Sequence, residues 1–191
     1  MIMNKNNFIN TVYDFASILL TAMIAVCIIF TFFFKISTVV GESMENTLHN
    51  GESLLITAIN GEIENGDVVV ISQPNSYDLV LIKRVIGTAG QTISFDKKTR
   101  SVYVDGVELK EDYIKEKMLF LYGMNQTYTV PEGKIFVMGD NRNKSADSRD
   151  SGIGMIDERY VVGKVFYKIG DTKLFNSWSL GEEKCQILKD K

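Results

Sequence analysis

The chain has 191 residues, 45% hydrophobic and 24% charged, with 21 Lys and Arg against 24 Asp and Glu. That balance excludes wholesale disorder, and a net charge of −3 without any basic run excludes the electrostatic footprint of a nucleic-acid binder. Two cysteines, Cys27 and Cys185, exclude a disulfide framework and a thiolate zinc site, and a single histidine, His49, disfavours a His-based triad or metal centre. A hydrolase built on this chain must take its base from elsewhere.

Residues 15–34 read FASILLTAMIAVCIIFTFFF, twenty positions without a formal charge. At the rise of an α-helix they span roughly 30 Å, the thickness of a bilayer core. A soluble core helix would carry a polar stripe, which is missing here. A cleavable signal peptide would have a shorter apolar region ending at small residues, whereas this one ends in three phenylalanines. The expectation is an uncleaved anchor. Lys5 before it and Lys35 after it are nearly balanced, so charge alone leaves its orientation open. Without Lys5, Lys35 and Asp14, 19 basic and 23 acidic groups remain on 156 residues, which predicts one compact domain over 36–191 tethered to a stub and anchor over 1–35.

After Lys35 the pattern is one of short β runs. SLLITAI (53–59), DVVVIS (67–72) and DLVLIKRVIG (78–87) are rich in branched and aliphatic residues and bounded by Gly, Asn or Pro. TISFD (92–96) and SVYV (101–104) follow, and Asp105-Gly106 marks a two-residue hairpin into VEL. YTV, then Pro131-Glu132-Gly133, then KIFVMGD reads as another strand pair, and RYVVGKVFYKI (159–169) closes the series. EDYIKEKMLFL (111–121) reads as a solvated connection. The fold class is mainly β, a folded-over antiparallel sheet or partial barrel behind one transmembrane helix.

Three segments can carry chemistry. VVGESMENTLHNGE (39–52) offers a serine beside glycine shortly after the anchor, while His49 reads as a surface residue. LVLIKRVIG carries Lys83 in an apolar strand, whose alternation puts it on the face of Leu79, Leu81 and Val85, with Arg84 opposite. Desolvation there disfavours the ammonium and makes the amine a usable base. GDNRNKSADSRDSG (139–152) is dense in small polar residues next to the strand KIFVM; it is no calcium loop, because Arg142 and Lys144 fall at ligand positions. A glycine-flanked serine, a desolvated lysine and a polar Ser/Asp/Arg loop are the parts of a Ser-Lys hydrolase, which needs no histidine, metal or cofactor.

With these motifs the chain resembles the type I signal peptidases of the small, single-anchor bacterial kind. Ser43-Met44 with Thr47-Leu48 matches the family's first box, and Lys83, Arg84, Val85 and Gly87 match its Lys-Arg-Val-x-Gly box. Gly139, Asp140, Asn141, Arg142, Ser145, Asp147, Ser148, Arg149 and Gly152 complete a third box. The resemblance implies Ser43 as nucleophile, Lys83 as general base, Ser145 orienting the amine, and Asp147 with Arg149 as a supporting ion pair. Val39, Met44, Leu48 and Leu81 match positions lining shallow substrate pockets. It further implies a cytoplasmic N-terminus, a catalytic domain outside, preproteins cut after small residues, and the lipid bilayer as a partner. An alternative within the resemblance is a specialised factor or chaperone for one secretion or pilus-assembly system. The chain departs from the pattern at Asn46, where the family prefers proline, at Ala89-Gly90-Gln91 in place of Pro-Gly-Asp, and at Gly41, where some members carry a hydroxyl.

Overall fold

The computed structural model describes residues 5–58, 61–74, 80–119 and 127–171. Two compact units divide the chain, Met1–Lys35 and Ile36–Lys191. The first unit contains helix α1, Lys5–Phe33. Its stretch Phe8–Phe33 is 26 residues long and apolar all round, with none of its most hydrophobic window buried against protein. A helix without a polar face needs a non-aqueous surrounding, and its length suits a bilayer. Three of its polar side chains are satisfied within the helix: Ser17 donates to Asp14 O, Thr21 to Ser17 O and Thr31 to Cys27 O. None of the three therefore demands a partner from lipid.

The second unit is built on two sheets. In chain order, β1 is Phe34–Thr38, β2 Glu52–Thr57, β3 Val68–Ile71, β4 Leu81–Gly87, β5 Thr92–Phe95 and β6 Val102–Val104. Then come β7 Val107–Glu108, β8 Thr127–Thr129, β9 Lys134–Met138, β10 Ile156–Asp157 and β11 Val161–Asp171. A seven-stranded sheet runs β1-β2-β11-β3-β4-β9-β10, and a four-stranded sheet runs β7-β6-β5-β8. The mainly β, antiparallel fold read from the sequence holds. The Asp105-Gly106 hairpin holds too: both residues have positive φ, 51° and 81°, as a two-residue primed turn requires.

One strand pairing is corrected. Pro131-Glu132-Gly133 does not join a hairpin, because β8 pairs with β5 and β9 pairs with β4 and β10. The turn instead carries the chain from the small sheet to the large one. Local turn chemistry cannot distinguish these outcomes, since both start and end in a strand. The 159–169 run also begins later than expected: Glu158–Tyr160 form a 3-10 turn, with Asp157 accepting from the Arg159 N–H, before β11 starts. The chain's last described strand then inserts between β2 and β3. Positions 59, 78, 79, 120 and 121 of the expected runs and Cys185 lie outside the described residues.

Strand β4 organises the core. Ile86 packs in a cluster with Ile93, Phe95 and Phe136, which joins the two sheets, while Leu81 and Val85 belong to a second cluster with Val69, Ile71 and Val137. Gly87 ends the strand because the Ile93 side chain lies against it; a Cβ there would stand 2.4 Å from Ile93 Cδ1. Beyond it, the Thr88–Gln91 turn is closed by Gln91 Oε1, which accepts the Thr88 N–H at 2.8 Å, and by Gln91 N–H to Thr88 O at 3.1 Å. The glutamine side chain thus stiffens the turn at the departure from Pro-Gly-Asp.

Candidate active site

The loop carrying Ser43 is closed at its base by Val39 N–H to Glu52 O at 2.8 Å and Gly51 N–H to Val39 O at 2.9 Å. Gly41 has a φ of 98°, a conformation that favours glycine, and its N–H donates to Asn50 Oδ1 at 2.9 Å. A turn follows, with Thr47 and Leu48 N–H both donating to Met44 O. Met44 and Leu48 are buried with Val39 and Leu54 in a third cluster. This anchorage leaves half-buried Ser43 fixed between two buried neighbours in space.

Lys83 lies in the middle of β4, opposite Val69 of β3, and is only 3% exposed. Its Nζ donates to Ser43 Oγ at 2.7 Å and to Ile82 O at 3.0 Å. The third segment meets the first through Asn141, whose N–H donates to Ser43 O at 3.0 Å and whose side-chain amide donates to Glu42 O at 3.0 Å. Ser145 donates to Asp147 Oδ2 at 2.6 Å, and the Gly139 N–H donates to the same oxygen at 2.9 Å. Arg149 grips Asp147 with Nε and Nη2, each at 2.7 Å. Burial alone would push the Asp147 carboxyl up. The Arg149 charge and hydrogen bonds, with those from Ser145 and Gly139, offset this and hold it below the usual aspartate range. The three sequence segments, far apart along the chain, thus converge on one hydroxyl–amine pair.

The comparisons with known proteins agree on one family. Residues 12–169 match the family model described as signal peptidase, peptidase S26. The chain belongs to this family. It is 37% identical over 177 residues to signal peptidase I of Bacillus amyloliquefaciens, covering 86% of this chain and 90% of that one. It is 37% identical to signal peptidase I T of Bacillus subtilis strain 168, over 81% of this chain and 83% of the relative. Against signal peptidase IB of Staphylococcus aureus the identity is 36%, over 69% and 75% of the two chains. A crystal structure of a signal peptidase I from Enterococcus faecalis V583 aligns at 29% identity and a TM-score of 0.46, covering 56% of this chain and 98% of that one.

Of the positions matched to the family's substrate pockets, Val39, Met44 and Leu48 share the third cluster, whereas Leu81 packs in the second. The sequence reading matched Arg84, Asp140 and Thr47 to the family's boxes without giving them a role, and the structure joins them. Arg84, opposite Lys83 in the strand alternation, reaches Asp140 with Nε at 2.9 Å and Nη2 at 2.6 Å, and Thr47 donates to the same carboxylate at 2.6 Å. Residues 111–119 are also more than a solvated connection: Glu111 pairs with buried Arg142, and the Tyr113 ring lies 4.1 Å beneath the Arg84 guanidinium. Only the Tyr amid charges signalled this in the sequence, and it has no periodicity to read.

Proposed function

We propose that the protein is a membrane-anchored serine endopeptidase that removes signal peptides from exported preproteins, with Ser43 as nucleophile and Lys83 as general base. The observation carrying this reading is the 2.7 Å separation of Lys83 Nζ and Ser43 Oγ at a lysine with almost no contact with water. A neutral amine has two N–H groups and one lone pair. The Ile82 carbonyl takes one N–H; for reaction the Ser43–Lys83 hydrogen bond is reversed, the Ser43 hydroxyl donating to the lone pair. Ser43 Oγ attacks the scissile carbonyl as its proton passes to Lys83 Nζ, and the ammonium then protonates the leaving amine. Water, deprotonated by the same amine, hydrolyses the acyl–Ser43 ester.

Supporting groups follow from their hydrogen bonds. The Ser145 proton is committed to Asp147, so its oxygen offers lone pairs to the lysine amine, and Arg149 keeps Asp147 ionised in that task. The Ser43 backbone N–H serves the developing oxyanion. Gly41 brings no hydroxyl, and its own N–H is engaged by Asn50. Val39, Met44, Leu48 and Leu81 form the apolar walls that accept small side chains at the first and third positions before the cut. Residues 1–35 serve as cytoplasmic stub and anchor, and 36–191 as the catalytic domain on the side where signal peptides emerge. Ser43 lies nine residues past Phe34, at most roughly 30 Å of chain, which keeps the reaction near the membrane surface.

The test uses detergent-solubilised full-length protein and a labelled preprotein with alanine at both specificity positions. Wild type releases the signal peptide; Ser43→Ala and Lys83→Ala do not. Absence of cleavage by wild type, together with a secretion or pilus-assembly function that survives Ser43→Ala, would replace this reading with that of a dedicated non-catalytic factor. Orientation is read separately, from labelling of a cysteine placed at exposed Val107 by an impermeant maleimide on intact cells.

A further inference from the structure

We infer that Tyr113 is a positioning residue for the Ser43–Lys83 pair, acting by shielding the Arg84–Asp140 ion pair from water. This rests on the reading of Ser43 and Lys83 as the reacting groups. Arg84 is the neighbour of Lys83 on β4, and Asp140 is the neighbour of Asn141, whose N–H holds the Ser43 carbonyl. The ion pair between them therefore ties the strand bearing the base to the loop gripping the nucleophile. Asp140 is fully buried, and its Oδ2 takes both the Arg84 Nη2 and the Thr47 hydroxyl, the latter from the same turn as Ser43. Three elements thus meet on one carboxylate.

The edges of the Arg84 guanidinium are used on Asp140 and on the Gly66 carbonyl, at 2.9 Å. One of its faces is covered by the Tyr113 ring, with the guanidinium carbon 4.1 Å from the ring centroid. That is stacking distance, at which the ring attracts the cation and keeps water from the pair. The ring is itself held. Two residues on, the Lys115 N–H donates to Asp140 O at 3.2 Å, and the Tyr113 hydroxyl donates to Glu111 Oε1 at 3.2 Å. Burial, aided by the Glu111 charge, pushes the Tyr113 phenol up to about 12, so it remains a neutral donor through ordinary working pH. An ion pair kept dry on one face is stiff and poorly screened; an uncovered one loosens, and counter-ions reach it.

The experiment compares kcat, KM and thermal melting for Tyr113→Phe and Tyr113→Leu in the full chain, with salt varied from about 0.1 to 1 M. Tyr113→Phe keeps the stack and should keep kcat near wild type at every salt concentration. Tyr113→Leu should lose about tenfold in kcat at unchanged KM, and its kcat should fall further as salt rises. Folded Tyr113→Leu with wild-type kcat and a flat salt response would overturn the inference. So would equal losses in both variants, which would assign the effect to the hydroxyl, or a change confined to KM. Should Tyr113→Leu not fold, Tyr113→His in wild-type and Arg84→Lys backgrounds takes its place. The inference expects a loss in the first background and none beyond that of Arg84→Lys in the second, and additive losses would overturn it. Cleavage by wild type but not by Ser43→Ala separates all these outcomes from failure of the proposed function.

Discussion

Gly139→Ala adds one carbon at the point where the three site segments touch. The new Cβ would stand 2.3 Å from Ser145 Oγ, 2.6 Å from Ser145 Cβ and 2.4 Å from the Ser43 carbonyl oxygen. Gly139 does not have a left-handed φ, so alanine is conformationally permitted and the effect is steric. Ordinary contact begins at 3.4 Å, so the Ser43 carbonyl must retreat by about 1 Å. Ser145 can turn its hydroxyl away only by releasing Asp147. The carbonyl has no rotamer to change: it is main chain, held by Asn141 N–H, and its movement displaces Ser43 itself.

A misplacement of about 1 Å costs about a hundredfold in rate, whereas overpacking at one site costs about 1–3 kcal/mol of stability. The expected result is a kcat loss of about two orders of magnitude in a protein that still folds, read from preprotein cleavage beside a thermal melt. Gly87→Ala is the matched control. Its Cβ meets Ile93 Cδ1 at 2.4 Å, the end of a side chain, four residues along β4 from Lys83. It should lower the melting temperature and leave kcat close to wild type. Wild-type kcat in Gly139→Ala would refute the reasoning, because the backbone at Ser43 would then yield without disturbing the pair.

Three further outcomes are expected. The ascending limb of kcat/KM against pH should lie below the range of solvated lysine, since burial of Lys83 disfavours its ammonium; a limb at about 10 would contradict this. Asp147→Asn leaves the Arg149 guanidinium, 10% exposed, without its carboxylate and should cost about 3–5 kcal/mol in unfolding experiments. The wild-type Asp147 carboxyl is held below its ordinary value, so its stabilisation is complete above about pH 4 and declines as pH falls through the folded value; melts recorded against pH should fall more steeply in acid for wild type than for Asp147→Asn, which keeps the contributions of Glu45, Glu52, Asp96 and Asp157. Lys117→Ala should leave turnover unchanged, although Lys117 Nζ also contacts a serine, Ser101 Oγ at 3.2 Å.

How much of this was legible in the sequence depended on whether the information was local. The anchor was readable because twenty uncharged positions in a row have few other physical homes. Lys83 was readable because strand period puts it among Leu81 and Val85, and all three are buried. The Asp105-Gly106 hairpin was readable because two successive positive φ values demand such residues. Pairing between sheets was not, as the transit at Pro131-Glu132-Gly133 shows: the partner of a strand is set by burial of the whole domain. Arg84 was assigned correctly to the opposite face, yet its partner Asp140 lies 56 residues away, and no spacing rule connects the two. Tyr113 was hidden for a similar reason. Its surroundings read as solvated charge because Glu111 and Arg142 neutralise each other only in three dimensions.

Two lysine–serine contacts, Lys117–Ser101 and Lys83–Ser43, differ in their surroundings. Lys117 reaches Ser101 Oγ and Thr99 O from an exposed position, in contact with water. Lys83 reaches Ser43 Oγ from 3% exposure on an inner strand of the larger sheet. Burial strips water from the Lys83 amine, and the hydroxyl and carbonyl it gains are weaker substitutes for a full hydration shell. Distance alone therefore does not make a reacting pair; exclusion of water does. In the proposed mechanism the packing of Met44, Leu48 and the buried face of β4 therefore matters as much as Ser43 Oγ and Lys83 Nζ. On the proposed reading, a change that admits water to Lys83 Nζ without moving it should abolish preprotein cleavage, and full cleavage by such a variant would contradict it.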